Sequence, residues 1–392
     1  MHHTSPKFMG ERLQQARKAR QITQGELGEA LGGISVKSIS AYEKNENQPS
    51  PATIDALCAF FNLPQSFFFT AVRERHPSST PVFYRSRAAS TKKDRDRAEV
   101  YLSWFQELVH TICSQVNPPP LSVPFRLNTQ NPAHITSQDV ERCALQAREH
   151  WGLGEEPIGH LCNLLETHGV FISRMSLGSE ELNALSVWVM PENVPLIVLN
   201  NDRDCYTLSR FDLAHELGHL LLHSGVTQEN FNDAALFKVM EEQAHHFARA
   251  FLLPFRAFRE DAWLSNLDML RHLKSKWFTS IGAMIFRLHD VGLVTESEMA
   301  NLWRNYGRRG WRNHEPFDDV WPPEEPDLFR EAFEYMTGQL GLSKDMLLRE
   351  TRLSADLVEL LCNLPYGFFP RSSSVEVRGL GLIRFTPKAQ LK

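Results

Sequence analysis

Residues 211–223 read FDLAHELGHLLLH, and this stretch predicts a helix that holds a metal ion. His215 and His219 are four positions apart, so in a helix their imidazoles lie on one face and can bind the same ion. Glu216 lies beside that face, where its carboxylate could hold a water molecule and take its proton. The competing interpretation is an amphipathic helix that carries its histidines by accident, because a motif this short has false positives.

A third ligand is needed, since catalytic zinc sites use three protein ligands and leave one position open. Position 225, where a metzincin would supply a third histidine, is a glycine. The next helical stretch, LFKVMEEQAHHFARAFLLP, offers Glu241 and Glu242. Glu241 shares a helical face with Ala244 and Ala248, which should pack on the first helix. We therefore predict His215, His219 and Glu241 as ligands, with Zn²⁺ as the expected ion, although such a donor set also accepts other divalent metals.

Three short runs rich in β-branched and aromatic residues precede the metal helix, at residues 169–175, 184–190 and 195–200. Turn residues separate them, so they predict three strands, which we expect to pair antiparallel. Together with the two helices they indicate a small α+β domain inside a mostly helical chain.

The first 70 residues predict a five-helix bundle with a helix-turn-helix. Thr23 and Glu26 form a capping box, and Ser50 with Pro51 marks another helix start. The third helix would enter the major groove of DNA. Base edges would be reached by Ser35, Val36, Lys37, Ser38 and Ser40, and phosphates by Gln24 and Lys44. The alternative is a helical bundle that docks another protein.

The rest of the chain carries fewer signals. Residues 71–124 form a basic linker followed by a helix, capped by Thr91, whose apolar stripe should pack on the next domain or on a second copy of the chain. Residues 125–258 would form the metal domain. Residues 259–392 look mainly helical, with a terminal strand in VEVRGLGLIRF, and by elimination they would sense a signal or dimerise.

Composition places the protein among ordinary globular chains. Of 392 residues, 42% are hydrophobic and 23% are charged, which suits two or three domains. The first 100 residues carry 15 Lys and Arg against 10 Asp and Glu, whereas the whole chain has a net charge of −5. A basic front end favours an anionic partner. Neither a secretory signal nor a membrane span is evident, and the six scattered cysteines suit reduced thiols, so we expect a cytoplasmic protein.

Two family resemblances follow from these motifs. ITQGELGEALG followed by ISVKSISAYEKNENQPSPATI resembles the XRE (Cro/cI-type) phage-repressor family. RFDLAHELGHLLLH followed by EEQAHHFARAFLLP resembles the ImmA/IrrE zinc metallopeptidase family. The second resemblance implies a compact thermolysin-like fold, a zinc ion held by His215, His219 and Glu241, and Glu216 as the base. The family usually has Asn where this chain has His245.

The resemblance further implies limited proteolysis of a repressor. The leading interpretation is a DNA-associated zinc endopeptidase that cleaves a transcriptional repressor or similar regulator, in stress or mobile-element control. It would be restrained through the C-terminal region or through access of substrate to a strand edge. The alternatives are a non-proteolytic transcription regulator that uses the metallopeptidase fold as a sensor or scaffold, and a toxin–antitoxin component.

Overall fold

A computed structural model describes residues 7–73, 80–84, 90–202 and 205–371. The described chain is mostly helical and contains one small sheet, as the sequence predicts. The predicted terminal strand at residues 375–385 lies outside the described residues. Among the described helices, none combines the length and the apolar character that crossing a bilayer requires.

The N-terminal region forms the predicted five-helix bundle. Thr23 and Glu26 make the capping box, and Ser35 and Ser50 each cap a helix with their side chains. Gly28 permits the tight turn after the second helix, because a Cβ there would lie 2.1 Å from the carbonyl oxygen of Ile34. The helices are α1 (Gly10–Ala19), α2 (Gln24–Ala30), α3 (Val36–Glu43), α4 (Pro51–Phe61) and α5 (Gln65–Phe68).

The connector contains a two-residue strand, β1 (Phe83–Tyr84), and a long helix, α6 (Lys92–Cys113). The apolar stripe of α6 packs within the same chain, on the N-terminal bundle before it, on the sheet and on the C-terminal region. Trp104 contacts Phe67 of α5 edge to face, and Phe105 packs on Phe329 of the C-terminal region. Arg12 of α1 also makes a bidentate pair with Glu107. One hydrophobic core therefore joins the N-terminal bundle, α6, one face of the sheet and the C-terminal helices.

The sheet contains the three predicted strands, and its pairing corrects one expectation. After the helices α7 (Ser137–His150) and α8 (Leu161–Thr167) come β2 (Phe171–Met175), β3 (Ala184–Val189) and β4 (Val194–Asn200), in the spatial order β1-β3-β4-β2. The pairs β3–β4 and β1–β3 are antiparallel, but β2–β4 is parallel. The expected all-antiparallel sheet is therefore wrong. The strand β3 runs opposite to β2, and the turn after β3 reverses the chain, so β4 runs in the same direction as β2. The free edge of β3 is taken by β1, so β2 pairs with β4 instead.

The helix that packs on the other face of the sheet, and a second helix that packs on the first, carry the predicted ligands. They are α9 (Tyr206–Leu222) and, after the short α10 (Gln228–Asn232), α11 (Ala234–Leu252). Gly218 lets them approach closely, because a Cβ there would lie 3.0 Å from the ring of Phe247. This close approach brings side chains of α11 within reach of the histidines of α9.

The C-terminal region is helical, as predicted, and packs in two places. The helices α12 (Phe255–Asp261), α13 (Leu267–Trp277), α14 (Ile281–Asp290) and α15 (Glu296–Arg308) extend the core around α9 and α11. The helices α16 (Leu328–Gly338), α17 (Lys344–Thr351) and α18 (Ala355–Leu361) join the core that contains α6. Buried Lys274, paired with Glu315 and Asp318, fastens α13 to the segment after α15.

Candidate metal centre and DNA-contacting surface

Three predicted ligand groups converge on one point. Nε2 of His219 lies 3.0 Å from Nε2 of His215 and 3.1 Å from Oε1 of Glu241, and Nε2 of His215 lies 3.7 Å from Oε2 of Glu241. Ligand atoms around a tetrahedral zinc ion are about 3.3–3.6 Å apart, given bonds of about 2.0–2.2 Å. Two nitrogens and a carboxylate at these separations therefore fit a divalent ion.

Burial and direct contacts set the charges of His215 and Glu241. Both histidines are fully buried, and burial lowers the pKa of His215 well below its usual value, which keeps this imidazole neutral. Burial opposes ionisation of Glu241, but its contacts with His215 and His219 outweigh burial and lower its pKa. A neutral His215 beside an ionised Glu241 gives this pair of ligands a net negative charge, which a cation complements.

The neighbouring glutamates point in opposite directions, as the helical pattern predicts. The side chain of Glu241 is 16% exposed and faces α9, whereas that of Glu242 is 69% exposed and lies near Lys238. The inward face of α11 is lined by Ala244 and Ala248, both fully buried. Small residues at these positions leave room for Glu241 to reach the histidines.

Glu216 is fully buried beside the ligand face. Its Oε2 accepts a hydrogen bond of 2.5 Å from Oγ of Ser186, which lies on β3. This contact fixes the carboxylate between the metal helix and the sheet. Ser186 was not identified from the sequence, because β3 and α9 are brought together only by the tertiary fold.

A hydrogen-bond chain behind His219 fixes its tautomer. Nε2 of Gln243 donates to the carbonyl oxygens of Pro132 and Ile135, so its Oε1 must accept from Nε2 of His223. Burial lowers the pKa of His223 to about 3, so the ring is neutral and its Nδ1 is an acceptor. That Nδ1 lies 2.9 Å from Nδ1 of His219, which must therefore donate. In a neutral His219 ring this leaves the lone pair on Nε2, the atom that faces Glu241.

This chain makes Gln243 testable. Replacing Gln243 by Met keeps the side-chain length but removes the acceptor for His223, so the tautomer of His219 is no longer fixed. We expect metal affinity to fall about 10–100-fold, as when other partners of metal-bound histidines are removed. Competition with a chelator of known affinity measures this. The exposed Glu242→Met is the matched control, and equal affinity in the two variants would show that the chain does not act on the metal site.

His245, where Asn would be expected from the resemblance, also touches the site. Its Nδ1 donates to the carbonyl oxygen of Glu241 over 2.7 Å, and its ring meets that of His215 edge on, with centroids 4.5 Å apart. The imidazole therefore packs against one ligand and braces the backbone of another. A cavity of about 860 Å³ opens beside it, and its lining includes Phe211 of α9 and Phe286 of α14. The C-terminal region thus forms part of the surroundings of the metal centre.

The predicted DNA-contacting residues lie on α2, α3 and their ends. Ser35, Val36, Lys37 and Lys44 are exposed, and Ser38 and Ser40 are half-buried. Val36 is 53% exposed. Gln24 is also half-buried, and its Nε2 donates to Glu43. The same carboxylate is held by Arg17, so this network positions α2 relative to α3.

Both the metal-centre region and the N-terminal bundle match known protein families. Residues 165–289 match the IrrE N-terminal-like domain, and residues 13–65 match a helix-turn-helix family. No curated protein matches the chain significantly. The first match covers β2 to β4, α9 and α11, and the second covers most of the N-terminal bundle, so both resemblances inferred from the sequence are confirmed. The chain therefore combines a helix-turn-helix DNA-binding domain with a metallopeptidase domain of the IrrE N-terminal-like family.

Proposed function

We propose that the protein is a DNA-associated, zinc-dependent endopeptidase that cleaves a transcriptional repressor or a similar regulator. The observation that carries this proposal is the convergence of His215, His219 and Glu241, with Glu216 buried beside them. All four groups expected of a zinc peptidase site are present, and the separations of the three ligand groups suit a divalent ion.

Each side chain has a distinct part in peptide hydrolysis. His215, His219 and Glu241 would hold the ion, which when bound supplies the Lewis acidity that activates water and polarises a carbonyl group. Glu216 would take the proton of the attacking water and pass it to the leaving amine. The hydrogen bond from Oγ of Ser186 holds Oε2 of Glu216 and so fixes the orientation of the carboxylate.

The helix-turn-helix would bring the peptidase to DNA, where a repressor is found. Lys37 and the apolar tip of Val36 are exposed at the start of α3, the part of a recognition helix that meets base edges. A valine there can contact the methyl group of thymine, and a lysine can bind guanine. A homodimer would add the second half-site that such modules commonly need.

Lys37→Ala tests the DNA contact. On a site selected from random duplexes, we expect specific affinity to fall by about 1–3 kcal/mol, the usual contribution of a base-reading side chain. Binding to random DNA should change far less, and fluorescence anisotropy at fixed salt measures both. Lys238→Ala, an exposed lysine on α11, is the control and should bind like the wild type. Unchanged specific affinity in Lys37→Ala would contradict the assignment of α3.

The proposal as a whole is tested by new protein N-termini in cells. Cells that express the wild type should contain a cleaved regulator that is absent with Glu216→Gln. Regulation that persists with Glu216→Gln, without any cleaved protein, would instead identify a non-proteolytic regulator. Genes encoded beside this one would then show whether it belongs to a toxin–antitoxin pair.

A further inference from the structure

The edge of β3 that faces away from β4 is occupied by the chain itself. Phe83 pairs with Ser186 and Tyr84 with Leu185, in antiparallel register. Upstream, the N–H of Thr80 donates to the carbonyl oxygen of Trp188 over 3.2 Å, and the N–H of Trp188 donates to Oγ1 of Thr80 over 2.9 Å. Residues 80–84 therefore run along β3 as an added strand, which we call the connector strand.

The connector strand passes directly over the metal helix. The ring of Phe83 is fully buried and stacks on the ring of His219, with centroids 4.7 Å apart and planes 11° apart. It meets Phe231 edge to face and shares a small apolar cluster with Val226 and Met240. These residues and His219 form a pocket, the aromatic pocket, which one large side chain fills.

The register also places the connector strand next to the base. Ser186, the partner of Phe83, donates its hydrogen bond to Glu216. An endopeptidase must hold an extended segment beside its metal and its base, and pairing with a sheet edge is the common way of holding such a segment. Here β4 takes one edge of β3 and the connector strand takes the other.

We propose that the connector strand occupies the substrate-binding groove, so that the substrate is an extended protein segment that displaces it and inserts a large aromatic or apolar side chain into the aromatic pocket. This inference rests on the proposed function. It adds the class of substrate and a way in which the peptidase is kept inactive until a substrate displaces the connector strand. The strand belongs to the segment between the helix-turn-helix and α6, so displacement links the DNA-binding module to the peptidase.

Binding of a peptide tests this without requiring cleavage. The probe is a labelled peptide with the sequence of residues 80–84, TPVFY, and the comparison peptide is TPVAY. Phe83→Ala, which empties the aromatic pocket, should bind TPVFY at least about tenfold more tightly than the wild type, because the tethered competitor is weakened. TPVAY should bind neither protein. Equal binding of TPVFY to both proteins, or no binding to either, would overturn the proposal.

A reversible lock covers the case in which Phe83→Ala fails to fold. Opposed residues of antiparallel strands are about 4.5–5.5 Å apart at Cα, within the range of a disulfide. The double variant Tyr84→Cys/Leu185→Cys should bind TPVFY when reduced and lose that binding when oxidised. Wild type carried through the same treatment controls for the native cysteines. Binding that is unaffected by oxidation would also overturn the proposal.

Cleavage is measured separately, on the same variants with an unstructured protein substrate. Peptide binding without any cleavage would sink the proposed function and leave the groove assignment standing. If the wild type cleaves the substrate as fast as the reduced double variant and neither protein binds TPVFY, the groove assignment is wrong and the proposed function stands.

Discussion

Glu216→Gln should abolish most peptidase activity while leaving the metal in place. A general base contributes about 10²–10⁴-fold to catalysis, and the amide cannot take a proton from water. The amide oxygen can still accept the hydrogen bond from Oγ of Ser186, so the packing between β3 and α9 should be preserved. Turnover of an unstructured protein substrate and zinc content per chain are the two measurements.

The control for this prediction is Glu242→Gln. It makes the same chemical change on α11 at a side chain that is 69% exposed. Its turnover should match that of the wild type. Should Glu216→Gln turn over at the wild-type rate with its metal bound, Glu216 is not the base and the site works differently.

Glu241→Gln should remove the metal. It exchanges the single anionic ligand for a neutral amide, which coordinates the ion much more weakly, so we expect affinity to fall by more than the about 100-fold caused by losing an outer partner. Elemental analysis after dialysis should find about one zinc per chain in the wild type. It should find almost none in Glu241→Gln, and Glu242→Gln should retain the full content.

Loss of the metal should also lower the thermal stability of Glu241→Gln relative to Glu242→Gln. An ion that binds only the folded chain, and whose free concentration is 100 times its dissociation constant, raises the free energy of unfolding by about 2.7 kcal/mol. A chelator should therefore lower the melting temperature of the wild type and of Glu242→Gln, and should leave Glu241→Gln unchanged. If Glu241→Gln holds zinc as firmly as the wild type, Glu241 is not a ligand.

Local patterns explain why the metal centre could be predicted from the sequence. His215 and His219 are related by one helical turn, and the inward direction of Glu241 follows from its small neighbours along α11. Capping by Thr23, Ser35 and Ser50 likewise depends on residues three positions apart. These relations involve residues only three or four positions apart, so the sequence alone predicts where both helices lie and which faces carry the ligands.

The unpredicted features join distant parts of the chain. Phe83 pairs with Ser186 across 103 positions, and a two-residue strand is too short to show any alternation. Gln243 acts through carbonyl groups of residues 132 and 135, which any sequence could supply. The parallel pairing of β2 with β4 depends on which edges are already taken. In each case the decisive partner is chosen by tertiary packing.

The short chain between β1 and α6 has a quantitative consequence. Only residues 85–91 separate Tyr84 from the start of α6, which is itself anchored to α1 by Arg12 and Glu107. A segment held by so short a tether competes at an effective concentration in the millimolar range. A freely diffusing regulator at micromolar abundance would lose that competition about a thousandfold. On the function proposed above, a regulator bound to the same stretch of DNA would be held at a raised local concentration, so co-occupancy of an operator would itself select the substrate.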